Sequence, residues 1–516
     1  MSIFSEINVR RPKRNSFDLS HDLKVSSNMG DLVPVNCMEC VPGDRFKLST
    51  EVLVRLAPLV SPIMHRVDVS LHWFFVPNRI VWKDWEKFIT NTKDEGTGLL
   101  PAFPYVNFGS QSAAQMKLGF YLGLPDPSLN GTKEKDEKVS AIPFAAYQKI
   151  YNDYYRDQNL IDDIKPDLVN GDNTPSFISK FGILRKRAWE HDYFTGALPF
   201  AQKGDPVQLP LNTFDDVEVV RYQAAAGTSA SWNNLAPLNG TTSVPNGPGV
   251  TNPDKLDGSL YAKTSDLANT AATINDLRRA TKLQEWLERA ARGGSRYIEN
   301  TLAHFGVRSS DKRLNRPEYI VGTKAPVTIS EVVSTAETKT GTQTVPQANM
   351  AGHGVSAQFG RDGSYYCEEH GYIMCMMSVM PKTSYFQGVP KHFMKIVDPF
   401  QFYWPSFANI GEQEVYNNEL YAFKNTGGNT FGYVPRYAEY KYLPGRVAGD
   451  FRSSLSFWHM GRRFDSVPNL NKAFVEADPT TRVFAVTDTA VDHIWSHIYF
   501  NIVASRLMPK FGTPLL

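Results

Sequence analysis

Apolar and polar residues alternate with a period of two near both ends of this chain and at points between. From Phe46 the even positions read Phe46, Leu48, Thr50, Val52, Val54 and Leu56. Arg45, Lys47, Ser49, Glu51 and Arg55 hold the odd positions, with Leu53 as the exception. Successive side chains on a strand point to opposite faces, so this period predicts a strand with one buried face. Val67, Val69, Leu71, Trp73 and Phe75 alternate with Arg66, Asp68, Ser70 and His72 in the same way, and Pro77-Asn78 ends the run. Tyr372 to Met380 is almost continuously apolar, which suits a strand buried on both faces. Alternation returns at Phe451, Ser453, Leu455 and Phe457, and again at Ile494, Ser496, Ile498, Phe500 and Ile502. Strands are therefore expected from residue 45 to residue 503, with no convincing linker between two β domains. One sheet system closed by its first and last strands is the simplest arrangement, and 516 residues can bury a core of useful size.

The connections are long. Residues 227–272 are rich in Gly, Ser, Thr, Asn and Pro, as in "LNGTTSVPNGPGVTNPDKLDG". That composition fits either a disordered linker or a surface excursion built from turns. A helix follows, with Asn275 as cap and Leu277, Ala280, Leu283, Leu287 and Ala291 on one face. Glu285 with Arg289 and Glu288 with Arg292 are i,i+4 pairs, and Gly293-Gly294 stops it. Trp82, Trp85, Phe88 and Ile89 also have helical spacing. No internal repeat of solenoid period is present.

The usual chemical signatures are missing. The chain has no G-x-S-x-G, H-E-x-x-H, Walker A or G-x-G-x-x-G motif. Cys37 and Cys40 form a CxxC pair, but Cys367, His370 and Cys375 are distant and in or beside a predicted strand, so buried or idle thiols are expected. Asp162-Asp163, Asp215-Asp216 and Glu368-Glu369 are neighbours in sequence, which on a strand would point them to opposite faces. His353, between glycines, reads as a loop or interface residue. No catalytic, cofactor-binding or metal-ligating residue is assigned. Four cysteines suggest a reducing compartment, and no apolar run is long enough for a signal core or a membrane span.

Two clusters remain. Arg10, Arg11, Lys13 and Arg14 are either a solvated tail or contacts to phosphates. "PFAAYQKIYNDYYRDQNL" places Phe144, Tyr147, Tyr151, Tyr154 and Tyr155 at offsets 0, 3, 7, 10 and 11, one stripe of a helix with Pro143 at its first position. Tyrosine buries area but keeps a hydroxyl that needs a partner. Such a stripe suits core packing, a joint between subunits, or both.

Several blocks resemble the major capsid proteins of the Microviridae, small icosahedral single-stranded DNA phages, and most closely their gokushovirus-like branch. They include "NMGDLVPVNCMECVPGDRF" (28–46), "FFVPNRIVWKDWEKFITN" (74–91), the aromatic helix block and "LERAARGGSRYIENTLAHFGVRSSDKRLNRPEYIVG" (287–322). "ISEVVST" (329–335), "PQANMAGHGVS" (346–356), "PFQFYWPSFANIGEQEV" (399–415) and "RYAEYKYLPGRVAGDFRSSLSFWH" (436–459) continue the series in the family's order. The weakest part is 204–275, where the family itself varies.

The resemblance implies an all-β-dominated chain folded as an eight-stranded antiparallel jelly roll, with long loop insertions and a few short helices. It implies an N-terminal arm (1–44), one jelly-roll domain (45–516) and a variable insertion (204–275) forming a surface protrusion. It also implies self-assembly of 60 copies into a T=1 icosahedral shell around a circular single-stranded DNA genome. The expected subunit joints are Tyr147, Tyr151, Tyr154 and Tyr155 on the aromatic helix, Phe402, Tyr403 and Trp404, and Tyr437 with Tyr440. Arg10, Arg11, Lys13 and Arg14 are the expected nucleic-acid contacts. A shell of chains at +2 supplies only about 120 positive charges against thousands of phosphates. Counterions, and a small basic internal DNA-binding protein, are expected to supply the rest. Further expected partners are a pilot or minor virion protein, a scaffolding protein and a host cell-surface receptor. The expected setting is the virion, assembled in the bacterial cytoplasm. The competing class is a jelly-roll lectin or carbohydrate-active enzyme, which would remain a small oligomer and bind or cleave glycans.

Overall fold

A computed structural model describes residues 13–511, apart from 95, 97, 108–116, 126–137, 206, 208–218, 222–229, 232–259, 263–273, 295, 341–342, 346, 424–428, 487 and 489. The chain divides into two compact units, Met1–Ala201 with Gly293–Leu516, and Gln202–Arg292.

The first unit is built on two antiparallel sheets. Its main elements are β1 (Asn15–Asp18), β2 (His21–Ser27), β3 (Val33–Cys40), β4 (Arg45–Leu56), β5 (Val67–Pro77), the short helix α1 (Trp85–Ile89) and α2 (Ile142–Ile150). Six strands follow: β6 (Glu318–Pro326), β7 (Thr328–Val333), β8 (Met350–Phe359), β9 (Gly363–Tyr366), β10 (Gly371–Pro381) and β11 (Ile494–Arg506). The larger sheet runs β1-β11-β4-β8-β7, with β2 also on β11 and β9 also on β4. The smaller runs β6-β5-β10-β3. From residue 15 onward, the segment expected to be an arm contributes three strands to these sheets.

The predicted alternation of β4 and β11 is present residue for residue: the even positions are buried and nearly all odd ones face outward. The two strands pair from Ile494–Leu56 to Ser505–Arg45, which brings the chain's last strand beside one of its first. Their inner residues meet Val67, Val69, Leu71, Trp73 and Phe75 of β5 and Ile373, Met377 and Val379 of β10 in the core between the sheets. Trp73 donates its indole N–H to Thr50 Oγ1 at 3.1 Å and meets Phe500 edge to face. The polar atom of the largest ring is thereby satisfied inside the core.

Strand β5 corrects one expectation. Its polar positions Asp68, Ser70 and His72 were expected on a solvent face, yet almost every residue of β5 is buried. A second apolar layer covers that face: Phe74 and Val76 of β5, with Met374 and Met376 of β10, pack against α2. Polar groups on this face are satisfied instead by side chains. Arg187 Nη1 donates to Ser70 Oγ at 2.9 Å and Ser378 Oγ at 3.1 Å. Strand β10 is buried on both faces, as expected. The strand expected at Phe451–Phe457 is instead two 3-10 turns, Gly449–Arg452 and Ser456–Trp458. His459 Nε2 bonds the Phe451 carbonyl at 2.7 Å, and Arg482 Nε donates to the Ser456 carbonyl at 2.9 Å. Side chains thus occupy acceptors that a sheet neighbour would need.

Gly30 lies in the connection between β2 and β3, at φ +88°, and a Cβ there would lie 2.3 Å from the Ala477 carbonyl oxygen. Both the left-handed backbone and the close approach exclude a side chain. Gly30→Ala is expected to destabilise the chain by at least about 2 kcal/mol. A lower urea midpoint at unchanged m-value checks this.

In the second unit, the described part of 204–275 includes three short strands, Val219–Arg221, Ala230–Ser231 and Leu260–Ala262, paired in one antiparallel sheet. Most of the expected protrusion lies outside the described residues. Helix α3 (Ile274–Gly293) follows, with Asn275 inside its first turn rather than capping it. The Glu285–Arg289 ion pair forms at 3.0 Å, and Gly294 ends the helix at φ +104°. Among the described residues, no helix is long and apolar enough to cross a membrane.

Candidate assembly surface

The aromatic helix forms as predicted, but its rings face inward. Pro143 stands in the first turn of α2, and the helix continues as a π-turn from Tyr151 to Tyr155. Phe144, Tyr147, Tyr151 and Tyr155 lie in the apolar layer against the smaller sheet, and Tyr147 is completely buried. Each hydroxyl whose bonding is described points to a partner within this chain. Tyr147 donates to the Leu32 carbonyl at 2.8 Å and accepts from the Arg185 backbone N–H at 2.9 Å. Tyr155 bonds His72 Nδ1 at 2.6 Å, and half-buried Tyr154 donates to the Pro317 carbonyl at 2.5 Å. Burial pushes the Tyr151 phenol up to about 12, while the guanidinium of Arg185 lies over its ring at 5.7 Å. The stripe therefore joins helix to sheet within one chain.

The other expected joint residues divide differently. Tyr437, at φ +60°, is buried. Phe402 (52 % exposed), Tyr403, Trp404 (49 %) and Tyr440 stand at the surface. Two short turns hold them. Asp398 caps Pro399–Gln401 by accepting from the Phe400 N–H at 2.8 Å, and a second turn spans Pro405–Phe407. Trp404 Nε1 donates to the Pro399 carbonyl at 3.1 Å, and the Tyr403 ring lies 5.1 Å from that of Tyr437. These local bonds fix the backbone while the rings remain uncovered.

A charged pair anchors the surface from beneath. Lys395 Nζ and Glu439 are 2.6 Å apart with both side chains nearly buried, and the same ammonium lies 4.0 Å from the Tyr440 ring centroid. Burial pushes the Glu439 carboxyl up, but hydrogen bonds from Lys395 and Gln413 outweigh it and leave the group below its ordinary range. The Lys395 cation faces two surface rings, Tyr440 and Phe402.

Sequence reading missed much of this surface. Outside the stretches 398–407 and 436–442, whose sequence already offers them as joints, Phe393, Ile396 (85 % exposed), Val397 and Leu443 (88 %) extend it. Beside it lies a hollow of about 570 Å³ whose walls include Tyr193, Phe194, Tyr385, Phe393, Tyr442 and Leu443. The available signal was "KHFMKIVDPFQFYW", an apolar-rich run broken by Pro399 and without either period. Contiguous exposed rings and aliphatics of this kind mark a surface that another molecule covers.

Of the expected phosphate contacts, Arg10 and Arg11 lie outside the described residues. Lys13 and Arg14 are exposed, and Arg14 Nη1 donates to the Ser505 carbonyl at 2.8 Å. The CxxC thiols face opposite ways: Cys40 lies in the core between the sheets, and Cys37 packs against the helix layer. Burial pushes Cys37 up to about 12 and raises Cys40 further. Glu368 and Glu369 are each engaged by a separate cation, Lys312 and Arg79.

The comparisons agree with one another. The family model described as "Capsid protein (F protein)" matches residues 5–516. The chain is 33 % identical to a capsid protein VP1 of Chlamydia phage 1, over 99 % of this chain and 97 % of the relative. It is 34 % identical to a capsid protein VP1 of Bdellovibrio phage phiMH2K, with the same coverage. For a capsid protein VP1 of Spiroplasma virus 4 the identity is 30 %, over 97 % of this chain and 95 % of the relative.

Proposed function

This chain belongs to the capsid protein (F protein) family of the Microviridae, and on that footing we propose that 60 copies close a T=1 shell around a circular single-stranded DNA genome. It is a major capsid protein, a structural component of the virion from a family that is not one of enzymes. We read its two sheets as a jelly roll. Taken in chain order, β2, β3, β4, β5, β6, β8, β10 and β11 give the spatial orders first-eighth-third-sixth and second-seventh-fourth-fifth. That interleaving is how two Greek keys share two sheets.

The observation that carries the assembly reading is the uncovered surface around Phe402, Trp404, Tyr440 and Leu443. Rings already fixed by their own turns lose little entropy when a neighbour covers them. We place a subunit joint here, with the adjacent hollow receiving an apolar segment of the next copy. Purified protein is expected to elute as megadalton particles and to show closed shells by negative-stain electron microscopy. A species that stays at monomer size under all assembly conditions would defeat the reading.

Residues 227–272 are assigned to host attachment through a host surface sugar, in keeping with their richness in turn-forming and polar residues. Deleting 227–272 is expected to abolish adsorption to host cells and leave shells intact. Undiminished adsorption would remove that assignment. A scaffolding protein, a pilot protein and a small basic DNA-binding protein complete the expected partners, with assembly in the host cytoplasm.

A further inference from the structure

The outward face of the larger sheet has a side-chain pattern that shell building does not require. From β11 it presents Trp495, His497, Tyr499 and Val503, all exposed. From β4 it presents Arg55, Glu51, Lys47 and Arg45, and from β2 it presents Lys24. The register fixes the neighbours: Trp495 lies opposite Arg55, His497 opposite both Leu53 and Lys24, and Val503 opposite Lys47. Opposed residues on one face have Cβ atoms about 5 Å apart. Lys24, Ser26, Leu53, Arg55, Trp495 and His497 line a hollow of about 430 Å³.

Arg45, Lys47 and Arg55 form no ion pair with any described residue. Arg45 instead lies 5.4 Å over the exposed Tyr366 ring. Exposed rings interleaved with unpaired cations match what a flexible polyanion with flat, stackable units needs. Neither feature alone has that meaning, since scattered surface rings and cations are ordinary.

We propose that this face is a platform for single-stranded DNA, with a base stacked on Trp495 and phosphates held by Arg55, Lys47 and Arg45. The proposal rests on the enclosure of a single-stranded genome and names where that genome touches the shell. Stacking on rings beside a basic track binds without reading sequence, as a whole genome requires. Arg14, at the end of the N-terminal basic cluster, reaches the same place: it is tied to Ser505, which lies opposite Arg45 on this sheet. The acidic groups on the face limit the track. Asp22 is held by Lys24 and His497, and hydrogen bonding from Lys24 first, then His497, keeps its carboxyl below the ordinary range. Glu51 lies opposite Tyr499 and disfavours a phosphate there. Tyr499 is therefore the weaker stacking position.

The test uses full-length protein, a fluorescein-labelled 20-nucleotide oligo-dT and a duplex of the same length, read by anisotropy over a salt series. The wild type is expected to prefer the single strand. Trp495→Ala should weaken that binding at least about fivefold, with Trp495→Phe restoring most of it and Tyr499→Ala costing less. Arg55→Gln with Lys47→Gln should reduce the log–log salt slope by roughly 0.7 for each lost phosphate contact. These two exposed positions keep the test decisive should Trp495→Ala fail to fold. Equal affinity for the duplex, or wild-type affinity and slope in the substituted proteins, would overturn the proposal. So would a change in self-association without a change in DNA affinity, which would make this face a contact between copies. Shell formation is scored separately by microscopy, so loss of DNA binding with intact shells is told apart from failure to assemble.

Discussion

Trp404→Glu is expected to give a folded chain that no longer builds shells. The ring is half-exposed and contributes to no buried cluster of the chain's own core. Its one described bond, to the Pro399 carbonyl, is local and at the surface. Substitution should therefore cost little stability, within about 0.5–1 kcal/mol. On the proposed assembly a neighbouring copy covers the same position. A charge placed there must be desolvated without a partner, which at a central interface position costs about 2 kcal/mol or more, roughly thirtyfold in each contact's equilibrium constant. The penalty recurs at every equivalent contact, and closure depends on many such contacts at once, so the shell should fail outright. Sedimentation velocity and electron microscopy read the assembly, and circular dichroism melting reads the fold. Shells formed at wild-type yield would remove this surface from the joint.

Tyr147→Ala is expected to act the opposite way and prevent folding. Emptying a fully buried aromatic site costs about 3–5 kcal/mol. The change also strands the Leu32 carbonyl and the Arg185 N–H, at about 1–3 kcal/mol for each group left unpaired. The sum approaches the whole net stability of an ordinary domain. Tyr147→Phe isolates the hydroxyl and should lower stability by about 1–3 kcal/mol in urea titrations, with normal shells below the transition. If Tyr147→Ala melted like the wild type and failed only in assembly, α2 would return to the role of a joint between copies.

These two residues show where sequence reading stops. The spacing of Tyr147, Tyr151, Tyr154 and Tyr155 specifies a ring-bearing helical face, and their hydroxyls demand partners. A strand of the same chain and a neighbouring subunit satisfy that demand equally well. Asp68, Ser70 and His72 raised the same ambiguity, because alternation does not distinguish a wet face from a buried one lined with polar pairs. At Phe451–Phe457 the period was right for a strand, but His459 and Arg482 had taken the backbone acceptors. The exposed Ile396, Val397 and Leu443 had no period to reveal them.

Side-chain alternation and an unbroken apolar run are both local properties of a segment, so β4 and β11 from the first and β10 from the second could be located from their own residues alone. The matching capsid blocks likewise lay in the chain's order and needed no coordinates. Which strand lies beside which, and what covers a second face, depend on segments hundreds of residues apart. β3 meets β10 across that distance, and α2 closes over β5 and β10. Only the folded chain decides such choices, because one apolar surface is stabilised by any partner of suitable shape, and the partner present is set by the whole topology.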